Sequence, residues 1–375
     1  MKPLYFDYNA TTPVLPPVRE AMLPFLGDSF GNPGSGHAWG LVAQRAVEQA
    51  REQVARLLGA EPEEIIFTSC ATESDNLALA GTLEPGDELV TSAVEHPAIM
   101  EYLPVLEARG VKVTLVPVDD QGRVSVAAVQ EACTPRTRLI SVMLANNETG
   151  AIQPVAEIAA WARQRGILVH SDAAQAVGKI PVDVGELGVD LLSLAGHKLY
   201  APKGVGALYL RRGVELRPML YGGGQERGLR PGTENVPHWV GLGRACQLAG
   251  QDLEAEMERQ RELGRRFLAG LEAQGRDFRL HSREAPRLPG TMSIGFAGLR
   301  AGDILSGLVA REVGASAGAA CHGDTTTVSH VLAAMKVPES YALGTIRFSW
   351  GRPTSAEDVD ELLRRLGQVL DELED

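Results

Sequence analysis

The strongest constraint on this chain is a rhythm. Short runs rich in β-branched and apolar residues alternate with amphipathic stretches through the first 210 positions. The runs are EIIFTS (64–69), ELVTSA (88–93), KVTLVPV (112–118), RLISVML (138–144), ILVHSDA (167–173), LLSLA (191–195) and GALYL (206–210). Segments such as PVAEIAAWARQRG stand between them. Strand-length runs alternating with helical patterns predict crossover units around a mostly parallel sheet. Near-continuous apolar strands mean that both faces of that sheet are covered. The expectation is an α/β fold with a seven-stranded, mostly parallel sheet.

After about residue 240 the pattern changes. A long polar helix is expected over 247–274, then GTMSIGF, a loop containing SAGAACHGDTTTVSH, the run TIRFSW, and a C-terminal helix SAEDVDELLRRLGQVLDELE. This reads as a smaller α+β domain. The expected division is a large domain at 15–250, with 1–14 and 251–375 forming the small one.

Composition excludes several classes. A net charge of −12 is a poor basis for binding nucleic acid, which requires a basic footprint. No apolar run approaches the roughly 18 residues of a membrane span. MKPLYFDYNATTP lacks the apolar core of a signal peptide, so a cytoplasmic location is expected. The four cysteines, Cys70, Cys133, Cys246 and Cys321, show no CxxC or CxxH spacing, so neither a metal site nor a disulfide framework is expected. Cys133 and Cys246 sit in helix-like surroundings and read as small hydrophobes. Cys321, among small, polar and flexible residues, does not.

In doubly wound sheets, ligands bind beyond the carboxyl ends of the strands. The first run leads into TSCATESDN, a small-residue turn and a helix start near Glu73, where N–H groups and Thr72 form either an anion site or a plain cap. The second leads to His96 in VEHPA, the fourth to Asn146, Asn147 and Glu148 in NNETG, the fifth to Asp172 and Gln175 in HSDAAQ, and the sixth to Lys198 in AGHKLYAPKGVG. Singly, each is equally a turn, a cap or a structural residue. Together they supply a phosphate cradle, an aromatic ring, a partly buried acid and a strand-end amine. Pyridoxal phosphate (PLP) needs this set: a lysine for covalent attachment and an acid for its ring nitrogen. A dinucleotide site would show GxGxxG after the first strand, and a P-loop GxxxxGK[ST]; both are missing.

The stretches YFDYNATTP, FGNPGS, TSCATESDN, EHPAI, ANNETG, HSDAAQAVGK, GHKLYAPKGVGALY, GGGQERGLRPGTENV, SAGAAC and IRFSWGR resemble the cysteine desulfurase and selenocysteine lyase family, the class V branch of fold-type-I PLP enzymes. The likeness runs from residue 5 to residue 352. It implies the PLP-dependent transferase fold and a set of roles. Lys198 would carry PLP and move the substrate's α-proton. Asp172 would pair with the ring nitrogen, Gln175 with the ring hydroxyl, and His96 would stack on the ring. Thr72 and His197 would bind the phosphate, joined by Thr233 from the neighbouring subunit of a homodimer. Asn147 and Arg347 would hold the substrate carboxylate. Cys321 would take sulfur from L-cysteine as a persulfide, release alanine, and pass the sulfur to an acceptor protein, as in iron–sulfur cluster assembly.

Three positions depart from the family pattern. Ala195 stands where many members carry a phosphate-binding Ser. Cys70 stands where Gly is usual. His322 follows Cys321 in place of a Ser-rich continuation, and beside a thiol it would lower its pKa or donate a proton. The missing Ser at Ala195, the ACHGD run with His322, and GGGQER…RPGTENV lean toward the selenocysteine lyases, so L-selenocysteine is the alternative substrate to the favoured L-cysteine. A PLP-binding scaffold without catalysis is the alternative of another class.

Overall fold

The computed structural model describes residues 2–317 and 328–374. After a two-residue strand β1 (Leu4–Tyr5), the chain builds one large sheet from β2 (Ile65–Thr68), β3 (Glu88–Ser92), β4 (Lys112–Val116), β5 (Thr137–Ser141), β6 (Leu168–Asp172), β7 (Leu191–Ala195) and β8 (Gly206–Leu210). Their order across the sheet is β2-β8-β7-β6-β5-β3-β4. Only β8 runs against its neighbours; the other pairings are parallel. This is the seven-stranded, mostly parallel sheet expected from the apolar runs. Every residue of β3 and β7 is buried, because helices cover both faces.

One side of the sheet packs through Ile65, Phe67, Ile140, Val169 and Leu192 against the helices Ala38–Leu58, Val155–Arg163 and Val236–Gln251. The other side packs through Ile66, Leu89, Leu139, Leu191 and Leu208 against the helix Ala71–Thr82. Further along the chain, β9 (Phe278–Leu280), β10 (Thr291–Phe296) and β12 (Thr345–Ser349) form an antiparallel sheet in the order β12-β10-β9. A separate apolar core joins Ile294, Ile346 and Phe348 of that sheet to Phe267 and to Leu362 and Leu366 of the C-terminal helix Ala356–Glu374. Leu4 and Phe6 belong to this second core, where β1 pairs in parallel with β11 (Val313–Gly314). No helix among the described residues is long and apolar enough to cross a membrane.

The single helix expected over 247–274 is two helices, Val236–Gln251 and Leu253–Ala273. They meet at Asp252, whose backbone is non-helical (φ −139°). Aspartate competes with helical hydrogen bonding through its own side chain. Here that carboxylate is held by both terminal nitrogens of Arg352, at 2.8 and 2.7 Å.

Candidate active site

The carboxyl ends of the strands open into a cavity of about 290 Å³. Thr72, His96, Asn147, Asp172, Gln175, His197, Lys198 and Arg347 all line it. Thr233 does not; it is exposed in the loop after Gly224. Cys321 and His322 lie outside the described residues. The chain approaches their segment at Ser316, which pairs with Arg347, and leaves it at His330, which lines the cavity.

Asp172 is the last residue of β6, and Lys198 closes the short turn Gly196–Lys198 after the neighbouring β7. Adjacent parallel strands therefore deliver the acid and the amine to the same edge. The turn is clamped by the N-terminal segment. Thr12 donates to the His197 carbonyl through its backbone N–H and through its hydroxyl, 3.0 Å each, and receives the Tyr200 N–H at 2.9 Å. Lys198 Nζ donates to the carbonyls of Asn9 at 2.6 Å and Ala10 at 2.9 Å.

The helix Ala71–Thr82 points its N-terminus into the cavity, and its cap residue Cys70 makes no side-chain capping bond. The orphan N–H groups of the first turn are left to meet an anionic ligand in place of a cap. Gly206 lets β8 pass close beneath: a Cβ there would lie 2.8 Å from the Cys70 carbonyl carbon and 2.7 Å from the Leu194 oxygen.

His96 caps the short helix Pro97–Met100, accepting the Ala98 N–H on Nδ1 at 3.1 Å. Burial lowers its pKa. The neutral ring with an accepting Nδ1 carries its proton on Nε2. Burial, with Lys198 and other cations adding to it, pushes His197 down to about 4, so this ring is also neutral.

Asp75, Glu95, Glu148 and Asp172 are all buried in this region, and Glu148 and Asp172 line the cavity. Burial and the neighbouring Asp172 raise Asp75 well above the carboxylate range. Burial pushes Glu95 up to about 8, although Ser92 and the Met143 N–H donate to it. Burial raises Asp172 too, opposed by His96, the Ala174 N–H and Lys198. Like charges in a dry site cannot all ionise. Of the raised carboxyls, Asp172 lines the cavity, where His96, the Ala174 N–H and Lys198 favour its ionised form.

Arg347 reaches the cavity from β12, 2 % exposed, with Asp7 Oδ1 2.7 Å from one nitrogen and the Asn147 carbonyl 2.9 Å from another. Sequence reasoning missed Asp7, Asn9, Lys179 and His330. Asn9 is the node of the site: its carbonyl accepts from Lys198 and Gln175, its side chain from Lys179, and its amide donates to the Asn147 carbonyl at 3.2 Å. His330 Nε2 donates to the Glu95 carbonyl oxygen at 3.0 Å.

A doubly wound sheet whose edge presents a lysine, an acid and an uncapped helix start defines an α/β enzyme of the aminotransferase kind. The chain belongs to the family Aminotransferase class-V, whose profile matches residues 4–362. It is 43% identical over 374 residues to the cysteine desulfurase IscS of Dictyoglomus turgidum, covering 99% of this chain and 95% of that one. Among solved structures it resembles a NifS-like protein, with TM-score 0.92 and 38% identity over 99% of this chain and 100% of the other. It also resembles SspA in complex with cysteine, with TM-score 0.81 and 38% identity over 92% and 98%.

The family implies PLP, and the donor set fits it. Free first-turn N–H groups beside Thr72 and His197 suit a phosphate dianion. Asp172 suits a ring nitrogen that carries a proton. Lys198 offers an amine suited to covalent attachment, and neutral His96 offers a flat apolar face with one N–H.

Proposed function

We propose that this chain is a PLP-dependent cysteine desulfurase, which converts L-cysteine to L-alanine and takes the sulfur onto Cys321. The observation that carries the reading is the convergence of Lys198, Asp172, His96 and the uncapped helix start on one cavity that Arg347 also enters. The relatives named cysteine desulfurase, matched over nearly the whole chain, support it.

When bound, PLP supplies a conjugated acceptor for the electron pair left at the substrate's α-carbon. Lys198 holds it and then serves as the base for the α-proton. Asp172 keeps the ring nitrogen protonated. Gln175 donates to the ring hydroxyl oxygen, while Thr72 and His197 hold the phosphate. Arg347, steadied by Asp7, and Asn147 bind the substrate carboxylate. The Cys321 thiolate attacks the substrate sulfur; the C–S bond breaks, its electron pair stays on carbon, and the carbon takes up a proton. One cysteine and one thiol thus give one alanine and one persulfide. The persulfide is then passed to an acceptor protein.

The chain acts as a homodimer in this reading. Thr233 is exposed and remote from the cavity of its own chain, as expected if it completes the phosphate site of a second copy. Exposed apolar side chains at Phe30, Trp39, Leu220 and Tyr221 supply surface for that contact. We assign residues 15–250 to a PLP-binding domain and the remainder to a smaller domain carrying the Cys321 loop, and place the enzyme in the cytoplasm.

The test is alanine release from L-cysteine and from L-selenocysteine, side by side, by wild type and Cys321→Ser. Alanine and sulfide from cysteine, abolished in the variant, support the desulfurase. Turnover of selenocysteine with almost none of cysteine reassigns the substrate. No alanine from either overturns the reading.

A further inference from the structure

A second partly buried lysine, Lys179, stands at the edge of the site and has no part in the reactions above. Its Nζ donates to Gln175 Oε1 at 2.6 Å and to Asn9 Oδ1 at 3.0 Å. Gln175 Nε2 donates to the Asn9 carbonyl at 3.0 Å, the same oxygen that receives Lys198 Nζ at 2.6 Å. The two amines are therefore joined through one asparagine and one glutamine.

This network settles which way the Gln175 amide faces. The Asn9 carbonyl is only an acceptor and must meet the NH2 end. Lys179 presents N–H groups and must meet the oxygen end. Both ends give the same orientation. With its oxygen occupied by Lys179, Gln175 has only an N–H left for a ligand in the cavity. Burial, Lys198 and Arg347 all push the Lys179 pKa well below the ordinary lysine value. The geometry holds in either protonation state, since the amine and the ammonium both have two N–H groups for two acceptors. Other titratable groups around the pair are His96, His197 and Asp172 on the main cavity, and Tyr8, Tyr200, Glu256 and Arg352 on a narrow cavity behind both lysines.

We propose that Lys179 is a positioning residue that locks Gln175 as a pure hydrogen-bond donor, so that the site selects an ionised ring oxygen on its cofactor. The inference rests on the reading that Lys198 carries PLP. Two effects of removing Lys179 have the same sign. A freed amide donates less well to the ring oxygen, and a basic group leaves the neighbourhood of the Lys198 linkage. Both favour protonation of that linkage.

The experiment uses the full chain, stripped of cofactor and reloaded. Binding of PLP and of its 3-O-methyl ether, which has no ionisable ring oxygen, is measured by fluorescence for wild type, Lys179→Met, Gln175→Ala and the double variant. The pH midpoint of the visible band is read on each PLP-loaded form. Wild type is expected to prefer PLP over the ether. Lys179→Met is expected to narrow that preference about tenfold, the scale of one hydrogen bond to a charged group. It should also raise the band's midpoint by about one pH unit. In the Gln175→Ala background, the same change should leave the preference unaltered. An unchanged preference in Lys179→Met, or an equal loss with and without Gln175, overturns the proposal. Should Lys179→Met fail to fold, Lys179→Gln replaces it under the same criteria. Borohydride fixation of PLP on wild type separates the two readings. If the label is not on Lys198, the cofactor assignment itself fails; if it is, the variants judge Lys179 alone.

Discussion

Arg347 and Asp7 form an ion pair at 2.7 Å across 340 positions of sequence, with the arginine side chain 2 % and the aspartate 17 % exposed. The pair fixes the guanidinium that, in the proposed function, would meet the substrate carboxylate. Asp7→Ala leaves a buried cation without its carboxylate, a loss worth about 3–5 kcal/mol where a buried pair is broken. The expected outcome is a lower Tm together with a KM for cysteine raised about tenfold or more. Asp7→Asn keeps an acceptor oxygen and should recover most of the KM. A rise in kcat with unchanged KM in both variants would contradict this role.

Gly206 is constrained by space. A Cβ there would meet the Cys70 carbonyl carbon at 2.8 Å and the Leu194 oxygen at 2.7 Å, both backbone atoms that cannot swing aside. Gly206→Ala therefore pushes the helix start away from β8. Overpacking of this kind costs about 1–3 kcal/mol. Its signature should be faster PLP loss on dialysis, with Lys198 still able to be labelled. Wild-type cofactor retention would show that the cradle has room to spare.

How far the sequence could be read follows from which contacts are local. Most strands of the large sheet were legible because burial on both faces makes each a near-continuous apolar run; β4, at the sheet edge and partly exposed, showed itself through its β-branched residues. β1, β9 and β11, at two or three residues, are too short to show any period. The break at Asp252 was hidden because strong helix formers follow it, although Gly250 and Asp252 are themselves poor ones. His96, Asp172 and Lys198 were legible because a parallel sheet puts its ligands at strand ends. Asn9 and Asp7 were not, since their partners Lys198 and Arg347 are 189 and 340 positions away. Lys179 reads as a surface lysine until folding places Asn9 over it.

Glu95 makes stability depend on pH. Its folded pKa is raised to about 8 by burial, against an ordinary value of 4.5. Its contribution is fully present below the unfolded pKa and is lost as pH rises from about 4.5 through about 8, where the unfolded chain releases a proton that the folded chain keeps. The loss amounts to a few kcal/mol at most. His170, pushed down to about 3 by burial, works in the other direction, destabilising below about 6.5. Urea unfolding at pH 6.5 and 8.5 should show wild type weaker at the higher pH and Glu95→Gln much less so. Parallel losses in the two proteins would assign the alkaline sensitivity elsewhere.

Glu226 anchors the loop that carries Thr233, and its backbone reports the strain involved. It and Arg227 have φ of 46° and 58°, the left-handed region that non-glycine residues seldom occupy. The buried Glu226 carboxylate is bound by both terminal nitrogens of Arg51, at 2.9 and 2.5 Å, and by the Phe67 N–H at 2.6 Å. Four residues on, Arg230 donates to Glu73 at 2.9 Å, and Glu73 in turn accepts the Ser69 N–H beside the phosphate cradle. The loop is thus pinned to the first strand of the sheet and to the helix start that, in the proposed function, would receive the phosphate. Glu226→Gln keeps the shape but removes the charge facing Arg51 and should cost about 3–5 kcal/mol. In the dimeric reading, the strained turn relaxes and Thr233 loses its fixed place, so dimer association should weaken in step with PLP affinity. Sedimentation at several protein concentrations, with and without PLP, measures both. A variant that dimerises and retains PLP as wild type does, despite a lower Tm, would confine Glu226 to holding the fold.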